Sequence, residues 1–353
     1  MHVFSRQVIR WFKENGRDLP WRQTSDPYHI WLSEVILQQT RVAQGTHYYH
    51  RFCTKFPNVK ILAESTEDEV LEIWQGLGYY SRARNLHSAA QWILKERDGV
   101  FPNTYKDLLK MKGVGSYTAA AIASFAFHED QVVVDGNVIR VFARIFGITQ
   151  DVRLATTVEM IRQRVQEWLP SGQSWFYNQS IMELGALVCV PLKPKCSNCP
   201  VLIHCFAYNQ GLQSSIPFKS KSKERRKRFL NYVLLEVDGL FFFTKRFGKD
   251  IWEGLYEPIL IETEFSFSKS EEFISALPVS PASITRSQVY PLMKHILSHQ
   301  ELYVSVCHIF LEQKPDIDFG RWVDQTEFMS LAKPVIFSKI LYAQKGSLLS
   351  LSF

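Results

Sequence analysis

The sequence predicts two domains of different fold class, a mainly α N-terminal domain followed by an α+β C-terminal domain. The chain has 353 residues and is 46% hydrophobic, which is enough material for two packed cores. Apolar residues recur at helical spacing in the first part of the chain, and short β-rich runs replace this pattern after residue 228. We therefore expect domains at residues 1–216 and 229–353, joined by a basic linker at 217–228.

Six apolar stretches with helical periodicity predict the main helices of the first domain. They are Val3–Phe12, Ile30–Val42, Val70–Trp74, Thr118–Phe127, Val138–Phe146 and Ile181–Val188. Asp26 and Pro27 predict the start of the second helix, because Asp is a good N-cap and Pro suits the first helical position. Gly147 predicts the end of the fifth helix.

In the second domain, Asp238 and Gly239 form a turn signal between two β-rich runs. The runs Phe229–Val237 and Leu240–Lys245 are therefore predicted to pair as a hairpin. A further strand and a closing helix are predicted at Glu301–Leu311 and Gln325–Tyr342.

The net charge of +6 is concentrated in the linker. Residues Lys219–Arg228 carry seven Lys or Arg side chains and one Glu, so the rest of the chain holds 34 basic and 34 acidic side chains. We favour a solvated linker; the alternative is that some of these cations also contact phosphate. Nucleic-acid binding must therefore be judged from local motifs.

Neither a membrane span nor a signal peptide is predicted. No apolar run is long enough to cross a bilayer, and Met1–Asn15 lacks the apolar core of a signal peptide. Only six cysteines occur, and a reducing compartment would keep them as thiols. We expect a cytoplasmic protein without a membrane partner.

Four cysteines near mid-chain form the most informative pattern in the sequence. Cys189, Cys196, Cys199 and Cys205 are spaced C-x6-C-x2-C-x5-C within seventeen residues. Four thiolates suit either a [4Fe–4S] cluster or a structural zinc. Zinc sites usually contain two close cysteine pairs, and only Cys196 and Cys199 form such a pair here. We favour the iron–sulfur cluster, with zinc and ligand-free thiols as alternatives.

Glu34 is the first candidate catalytic residue. On the predicted helix it shares a face with Ile30, Trp31 and Leu37, which is an apolar setting for a carboxyl group. Desolvation there disfavours the charged form and raises the pKa of Glu34, as a general acid working near neutral pH requires. The alternative is a structural Glu whose hydrogen bonds are satisfied.

Asp135 is the second candidate and lies in a contrasting environment. It follows the apolar run Gln131–Val134 and opens the helix Val138–Phe146, where free amides and the helix dipole favour a negative charge. We expect Asp135 to stay ionised, although an ordinary N-cap Asp has the same appearance. One protonated and one ionised carboxyl group is the arrangement that cleaves glycosidic bonds.

A glycine-rich turn lies between the two carboxylates, at Lys112–Thr118, just ahead of an alanine-rich helix. Gly113 and Gly115 let the backbone approach a ligand closely, and the exposed amides of a helix start suit a phosphate. A tight turn between two helices is the alternative interpretation.

Together these motifs resemble those of the helix-hairpin-helix DNA glycosylases, and specifically the MutY family of adenine glycosylases. The matching segments are Leu19–Arg22, Ser33–Thr40, Gly76–Asn85, Gly113–Tyr117, Val134–Val138, Asn178–Cys189 and the cysteine quartet. The second domain matches more loosely, at Trp252–Tyr256 and Lys294–His299, and is similar to the Nudix-like domain of that family. It has no box of clustered Arg and Glu residues, so we expect binding rather than hydrolysis there.

The resemblance implies base excision repair: hydrolysis of the N-glycosidic bond of adenine mispaired with 8-oxoguanine, or with guanine, in duplex DNA. The adenine would first leave the base stack. By similarity, Glu34 would protonate adenine N7, and Asp135 would stabilise the oxocarbenium-like sugar or bond to it. Tyr117 and Asn137 would support that intermediate. The residues implied to hold the flipped adenine are Arg22 and Glu183.

On the opposite strand, the resemblance implies that Gln39, Leu77 and Tyr79 wedge into the stack around 8-oxoguanine. Gly76 and Gly78 favour an exposed loop for Leu77 and Tyr79, with core packing as the alternative. The positions implied to recognise the lesion in the second domain are Ser298 and His299. The family has Phe where this chain has Leu297, which weakens the case for stacking there. The expected state is a monomer in a bacterial cytoplasm, associated with the nucleoid through DNA.

Two other functions remain open at this point. An endonuclease III-like glycosylase and lyase shares the scaffold and acts on oxidised pyrimidines, but its chemistry needs a lysine at the position of Tyr117, and a phenol cannot form a Schiff base. A non-catalytic iron–sulfur DNA-binding protein is the other alternative. The presence of both Glu34 and Asp135 argues against it.

Overall fold

A computed structural model describes residues 1–221, 224–277 and 283–337. The chain forms two compact units, the first made of residues 1–64 and 85–221 and the second of residues 65–84 and the described residues after 221. This division differs from the predicted domains, because 65–84 groups with the second unit. Two ion pairs hold it there: Lys245 with Asp68, at 2.6 Å, and Arg84 with Glu253, at 2.5 Å.

In the described residues before the first strand, the chain forms twelve α-helices. They are α1 (Val3–Asn15), α2 (Pro27–Leu37), α3 (Val42–Lys55), α4 (Val59–Glu64), α5 (Glu67–Trp74), α6 (Ser81–Arg97), α7 (Tyr105–Leu108), α8 (Ser116–Phe127), α9 (Gly136–Phe146), α10 (Ala155–Glu167), α11 (Ser174–Leu187) and α12 (Phe206–Asn209). Short 3-10 turns occur at Pro20–Arg22, Cys196–Asn198 and Leu202–His204.

The helices predicted for the first domain are present with one exception. The stretch Ile30–Val42 was expected to form a single helix, but α2 ends at Leu37 and α3 begins at Val42. Between them, Gln39 adopts a φ of +57°, in the left-handed region, which a right-handed helix cannot accommodate. The periodicity of apolar residues continued across this turn and concealed it.

One core of the first unit is built from α1, α9, α10 and α11. Phe4, Phe142, Ile161 and Tyr177, one from each helix, are fully buried in it. The segment after α11 packs on the same core through Val201 and through three of the four mid-chain cysteines. The cysteine segment is therefore supported by the helix that begins after Asp135.

In the described residues after 221, the second unit contains eight strands and two further complete helices, and residues 335–337 are also helical. They are β1 (Arg226–Val237), β2 (Leu240–Lys245), β3 (Tyr256–Glu257), β4 (Ile259–Thr263), α13 (Ser270–Ser275), β5 (Ile284–Val289), β6 (Met293–Ile296), β7 (Gln300–Leu311), β8 (Arg321–Val323) and α14 (Gln325–Ser330). The strands form a mixed sheet of order β3-β2-β1-β7-β5, in which β4 also pairs with β1, β6 with β7 and β8 with β2. The predicted hairpin is β1 with β2, and the predicted strand is β7, which runs parallel to β1.

Alternate residues of β1 enter two cores on opposite faces of the sheet, as the period of a strand requires. Tyr232 and Leu234 lie on the face covered by α14, together with Phe328. Val233 and Leu235 lie on the other face, together with Phe273 of α13. A mixed sheet between helices makes this unit the predicted α+β domain.

Two predictions for the second unit need correction. The predicted closing helix is interrupted: α14 ends at Ser330, residues 335–337 are helical again, and residues 338–342 of the predicted range lie outside the described residues. Pro334 explains the interruption, because proline disfavours a helix in the residues before it but suits the start of the next one. The last linker residues belong to β1, and Arg228 is 7% exposed and paired at 2.7 Å with both Asp250 and Glu262. Arg228 is thus a buried structural cation.

Within the described ranges, no helix combines the length and the apolar character that a membrane crossing requires.

Candidate active site

Glu34 lies within the first unit, on the helix that the sequence predicted to start at Asp26. The Asp26 side chain caps α2 by accepting a hydrogen bond of 2.8 Å from the backbone N–H two residues on. Glu34 is 6% exposed, and Ile30 and Trp31, one turn earlier, are also buried. Its Oε2 accepts a hydrogen bond of 2.6 Å from the phenol of Tyr117. The structure therefore brings together a buried carboxyl group and the predicted tyrosine.

Burial decides the protonation state of this pair. Desolvation raises the pKa of Glu34 to about 7; the Tyr117 hydrogen bond and Arg22 lower it, whereas the charge of Asp135 raises it. Burial and the nearby carboxylates Glu34 and Asp135 raise the pKa of Tyr117 well above its ordinary value. Tyr117 is therefore a neutral phenol, and Glu34 keeps its proton to near neutral pH.

Asp135 is the N-cap of α9, as predicted. Its Oδ1 accepts a hydrogen bond of 2.7 Å from the backbone N–H of Val138, and its Oδ2 accepts one of 2.7 Å from Nδ2 of Asn137. The helix start alone would favour the charged form. Burial acts in the opposite direction and raises the pKa of Asp135, although the hydrogen bonds and Arg140 lower it. Because both of its oxygens accept N–H bonds, Asp135 is the carboxyl group of the pair that ionises first.

Asn178 on α11 holds the extended segment that leads to Asp135. Its Oδ1 accepts a hydrogen bond of 3.0 Å from the backbone N–H of Val133, and its Nδ2 donates to the carbonyl of Gln131 at 2.8 Å and to Ser124 at 2.9 Å. Asn178 is 1% exposed. Asn178 was not predicted as a functional residue, since a pairing over 45 residues leaves no local signal in the sequence.

Arg22 and Glu183 form a buried ion cluster with a third residue, Arg17. The Glu183 carboxylate, 1% exposed, accepts three hydrogen bonds of 2.7 to 2.9 Å from Arg17 and one of 2.9 Å from Nη2 of Arg22. Burial would raise the pKa of Glu183, but the two arginines outweigh it and lower this pKa to about 2. Nε of Arg22 donates to Gln179 at 2.8 Å. Glu183 is thus fully engaged in orienting two arginines, and Arg17 was missed because it precedes the recognised segment.

Arg140 on α9 joins the Asp135 turn to the first cysteine. Its Nη2 donates to Oδ1 of Asn137 and to the carbonyl of Gly185, both at 2.8 Å, and its Nε donates to the carbonyl of Cys189 at 2.7 Å. Asn137, which bonds Asp135, is therefore held by the same guanidinium that holds the start of the cysteine segment.

Gly185 permits this close approach, and we predict that Gly185→Ala destabilises the protein. A Cβ at Gly185 would lie 2.5 Å from Cβ and 3.1 Å from Cα of Asn137, atoms that cannot move aside cheaply. We expect a loss of about 1–3 kcal/mol in the free energy of unfolding, despite the better helix propensity of alanine. Denaturant unfolding measures it, with Gly136→Ala as the control, because nothing lies within 4 Å of a Cβ there. Equal stabilities of the two variants would contradict the packing described.

The predicted hairpin joins α7 to α8. Gly113 has a φ of +78°, and a Cβ there would meet the side chain of Asn85 at 2.6 Å, so glycine is required at this turn. Gly115 is the N-cap of α8 and provides no side-chain cap for the first amides of that helix. Gln38 donates to Thr118 at 3.3 Å, which joins the turn after α2 to the same helix, and the neighbouring Gln39 is exposed.

The four mid-chain cysteines lie close enough for the charge of one thiolate to affect the pKa of the others. Burial raises the pKa of Cys199 to about 12, and the charges of Cys189, Cys205 and Cys196 contribute to this increase. Arg144 donates to Sγ of Cys189 at 3.3 Å. Among the described residues, no group of three or more His, Cys, Asp or Glu side chains is placed to bind a single metal ion.

In the second unit, four predicted recognition residues line one pocket of about 690 Å³: Leu77, Tyr79, Ser298 and His299. Ser298 and His299 form the tight turn between β6 and β7, and the hydroxyl of Ser298 lies 3.1 Å from Nδ1 of His299. The expectation of an exposed loop is right for Tyr79, which is 44% exposed, and wrong for Leu77, which is 8% exposed. Gly76 and Gly78, which flank Leu77, both have positive φ, so the chain forms a tight turn in which the Leu77 side chain is buried.

Family models match both parts of the chain. Residues 32–171 match the HhH-GPD superfamily of base excision DNA repair proteins, and residues 231–343 match the NUDIX domain. Among solved structures, a thermostable thymine-DNA glycosylase is 29% identical with a TM-score of 0.54, and the similarity covers 59% of this chain and 96% of that chain. An endonuclease III–DNA complex, 20% identical with a TM-score of 0.52, covers 60% of this chain and 95% of that chain and shows the shared fold.

Similar sequences extend over most of the chain. The adenine DNA glycosylase of Buchnera aphidicola subsp. Baizongia pistaciae is 31% identical, over 88% of this chain and 87% of its own length. That of Buchnera aphidicola subsp. Acyrthosiphon pisum is 33% identical, over 72% of this chain and 73% of its own. The human adenine DNA glycosylase is 40% identical over 61% of this chain and 41% of its own length. Taken with the helix-hairpin-helix and NUDIX matches, these similarities place the chain in the adenine DNA glycosylase family of base excision repair enzymes.

Proposed function

We propose that this chain hydrolyses the N-glycosidic bond of adenine mispaired with 8-oxoguanine, or with guanine, in duplex DNA, without cutting the strand. The observation that carries the proposal is the buried Glu34, whose pKa of about 7 makes it a proton donor at neutral pH, beside the more readily ionised Asp135. The relatives named adenine DNA glycosylase support adenine as the substrate.

The two carboxyl groups have different roles in bond cleavage: Glu34 donates a proton, and Asp135 stabilises positive charge. Adenine is a poor leaving group as an anion, and a proton delivered by Glu34 to N7 lets it depart as a neutral base. Positioned proton transfer of this kind is worth about 10²–10⁴-fold in rate. Asp135, negatively charged, then stabilises the positive charge that develops on the sugar, or bonds to it before water completes hydrolysis. Tyr117 and Asn137 keep the two carboxyl groups in place.

Glu183 contributes to binding of the flipped adenine indirectly, through the arginines that it orients. Since four N–H donors already occupy the Glu183 carboxylate, its role is to orient Arg22, whose charge also acts on Glu34. Arg22 is therefore the member of the cluster that we assign to holding adenine. The cost of extruding that base is a few kcal/mol and is lower for a mispaired base.

The rate of adenine release should depend on pH through both carboxyl groups. Glu34 must be protonated, so kcat/KM should fall about tenfold per pH unit above its pKa of about 7. Asp135 must be ionised, so the rate should also fall on the acid side, below the raised pKa of that group. A pH–rate profile of kcat/KM checks this. A rate that stays constant from about pH 6 to about pH 9 would exclude a titrating general acid.

On the opposite strand, we assign Gln39, Leu77 and Tyr79 to the stack around 8-oxoguanine, and Ser298 and His299 to hydrogen bonds with the altered base. The exposed phenol ring of Tyr79 supports a contact with stacked bases, and both polar residues of the β6–β7 turn are exposed. The buried Leu77 would have to move outward to reach DNA. Leu297 offers no ring for stacking, so lesion recognition should rest on the polar pair.

This assignment is tested by the double variant Ser298→Ala with His299→Ala. Single-turnover adenine release should lose part of its preference for 8-oxoguanine over guanine, while release from the A:G duplex changes little. The control is Ser275→Ala with His50→Ala, the same changes at exposed positions outside the pocket. Unchanged discrimination in the Ser298 and His299 variant would refute the assignment.

The glycine hairpin is assigned to the phosphate backbone. Gly113 and Gly115 bring main chain to the surface, and the uncapped amides at the start of α8 suit an anion. This contact would place α8, which carries Tyr117, at the strand that contains the mispaired adenine.

We assign a [4Fe–4S] cluster to Cys189, Cys196, Cys199 and Cys205. The donor set fits, because four mutually interacting thiols lie in one segment supported by a buried core and by the cation of Arg144. When bound, the cluster would supply a rigid structural centre; the chain's own part is to tie Cys189 to Asn137 through Arg140.

The proposal is tested on duplexes that contain adenine opposite 8-oxoguanine, adenine opposite guanine, or an oxidised pyrimidine. Released adenine should appear only with the first two, and strand breaks should appear only after alkali, since the phenol of Tyr117 cannot form a Schiff base. Release of oxidised pyrimidines instead would favour the endonuclease III-like alternative. Tight binding without any release would favour a non-catalytic DNA-binding protein. The proposed setting is a monomer acting on DNA in the bacterial cytoplasm.

A further inference from the structure

Residues 76–80, which carry two of the predicted wedge residues, form a tight turn that we call the wedge loop. The indole N–H of Trp74 donates a hydrogen bond of 3.0 Å to the carbonyl of Gly78, and Nη2 of Arg82 donates to the same carbonyl at 3.3 Å. The guanidinium of Arg82 also lies over the Tyr79 ring, 5.7 Å from its centroid. The conformation of the wedge loop is therefore fixed by its own neighbours, and its position follows from that of α5 and α6.

Each end of the wedge loop is tied to other parts of the second unit by one ion pair. Ahead of the loop, Asp68 of α5 pairs with Lys245 at 2.6 Å, where the Asp68 side chain is 46% exposed. After the loop, Arg84 of α6 pairs with Glu253 at 2.5 Å, where the Arg84 side chain is only 17% exposed. Nη1 of Arg84 also donates to the backbone carbonyl of Glu253. The Arg84 contact is the stronger of the two, because it is less exposed to solvent and engages both main chain and side chain.

Glu253 lies in a loop whose backbone is closely constrained. Its neighbours Trp252 and Gly254 have φ angles of +60° and +82°, in the left-handed region. The backbone N–H of Gly254 donates to the carbonyl of Arg246 at 2.9 Å, and that of Leu255 donates to the carbonyl of Trp252 at 3.0 Å. Glu253 is therefore a fixed point, and the position of Arg84 is set by it.

The specificity for the lesion strand depends on accurate positioning. 8-Oxoguanine differs from guanine only at C8 and N7, so few contacts can distinguish the two bases. A displacement of about 1 Å in a group that contacts the substrate can cost about 10²-fold. The bond that is cleaved lies on the other strand, where we assign Glu34 and Asp135. A displaced wedge loop should therefore change the preference between the two bases more than it changes the chemistry.

We propose that Arg84 and Glu253 are specificity-determining positioning residues. Their ion pair sets the position of the wedge loop relative to the turn of Ser298 and His299, and thereby the preference for 8-oxoguanine over guanine opposite adenine. This inference rests on the proposed function, because it takes the wedge loop and that turn as the parts that meet the lesion strand.

The first test measures single-turnover adenine release opposite 8-oxoguanine and opposite guanine, and takes the ratio of the two rates. Arg84→Glu replaces the ion pair by a repulsion, and the ratio should fall about tenfold, within the range of coupling between residues in contact. The control is Arg162→Glu, which makes the same change in a 2.7 Å ion pair with Glu159 in the first unit. The control should keep the parental ratio. An unchanged ratio in Arg84→Glu would overturn the proposal.

Exchanging the two charges tests whether the pair itself is responsible. In Arg84→Glu with Glu253→Arg an ion pair can form again, but the hydrogen bond to the backbone carbonyl is lost. The ratio should therefore recover in part, to a value between that of Arg84→Glu and that of the parent. A ratio no higher than in Arg84→Glu would overturn the proposal. Denaturant unfolding checks that each variant folds; if Arg84→Glu does not fold, Glu253→Gln replaces it, with a smaller decrease expected and a parental ratio as the contradicting result.

A further variant separates positioning from a general loss of stability. If the ion pair acts through the wedge loop, its loss should matter less once the ring of Tyr79 has been removed. Arg84→Glu should therefore lower the ratio by a smaller factor in a Tyr79→Ala background than in the parent. A general loss of stability would act equally in both backgrounds, so equal factors would overturn the proposal.

The two proposals fail separately. A parent protein that releases no adenine opposite 8-oxoguanine would overturn the proposed function, and the ratio of duplex affinities in the same variants would still test the ion pair. A parent that prefers 8-oxoguanine, together with the same preference in Arg84→Glu, would overturn only the role of Arg84 and Glu253.

Discussion

Replacing Glu34 by glutamine is expected to reduce single-turnover adenine release by at least about 10²-fold while leaving duplex binding intact. Glutamine has nearly the same volume and still accepts the hydrogen bond that the Tyr117 phenol donates to Glu34 at 2.6 Å. It has no acidic proton, so adenine would have to leave as an anion. Release is measured under single-turnover conditions, and binding by titration of the same duplex.

The matched control for this variant is Asp26→Asn, on the same helix. It makes the same carboxylate-to-amide change at the exposed N-cap of α2, where Asn caps as well as Asp does. Parental activity is expected there. If Glu34→Gln released adenine at the parental rate, Glu34 would not be the general acid.

The same substitution should stabilise the fold at alkaline pH. The folded pKa of Glu34, about 7, lies above its ordinary value of 4.5, so its contribution to stability is greatest below about pH 4.5 and is lost as pH rises through 7. The difference corresponds to about 3 kcal/mol. Glu34→Gln avoids this loss, so its excess stability should grow between pH 5 and pH 8 in denaturant unfolding. If the difference in unfolding free energy between Glu34→Gln and the parent were the same at both pH values, ionisation of Glu34 would not destabilise the fold.

Asp135→Asn is expected to reduce adenine release by at least about 10²–10³-fold, the typical effect of removing an electrostatic stabiliser from an active site. The amide keeps an oxygen that accepts the 2.7 Å bond from the backbone N–H of Val138, so α9 keeps its cap. It loses the negative charge that we assign to stabilising the sugar, and its NH2 group cannot accept the hydrogen bond from Asn137. Single-turnover release measures the effect.

Asp324→Asn is the matched control for Asp135→Asn. Asp324 caps α14 in the same way, accepting a 2.8 Å bond from the backbone N–H of Glu327. Asp324→Asn should unfold within about 1 kcal/mol of the parent, since Asn and Asp are equivalent caps, whereas Asp135→Asn should lose a further ~1–3 kcal/mol because Nδ2 of Asn137 is left without its acceptor. Substantial activity in Asp135→Asn would show that a dipole is sufficient there and that the charge is not required.

Local chemistry made part of the site predictable from sequence. The N-cap at Asp26 fixes the phase of α2, and that phase places Glu34 on an apolar face. The N-cap at Asp135 is equally local. Both predictions depend on residues within two turns of each other, so periodicity and capping rules were sufficient. The raised pKa of Asp135 could not be predicted from the local sequence, because it results from burial by the surrounding structure.

What could not be predicted depends on long-range packing. Arg17 contacts Glu183 across 166 residues, and Asn178 holds Val133 across 45 residues, and neither pairing has a signature in either segment alone. The inward turn of Leu77 and the division of the α2–α3 stretch both depend on positive φ angles, which apolar periodicity does not report. The buried Arg228 looked like a linker cation, because its partners Asp250 and Glu262 come later in the chain.

The infrared carbonyl band of protonated carboxyl groups, compared between the parent and Glu34→Gln across pH, tests most directly whether Glu34 holds a proton at neutral pH. The difference spectrum isolates this one carboxyl group from all others. A band present at about pH 6 and lost with a midpoint near pH 7 is the expected result, because burial raises the pKa of Glu34 to about 7. A band lost with a midpoint near 4.5, the ordinary value for glutamate, would contradict the general-acid role.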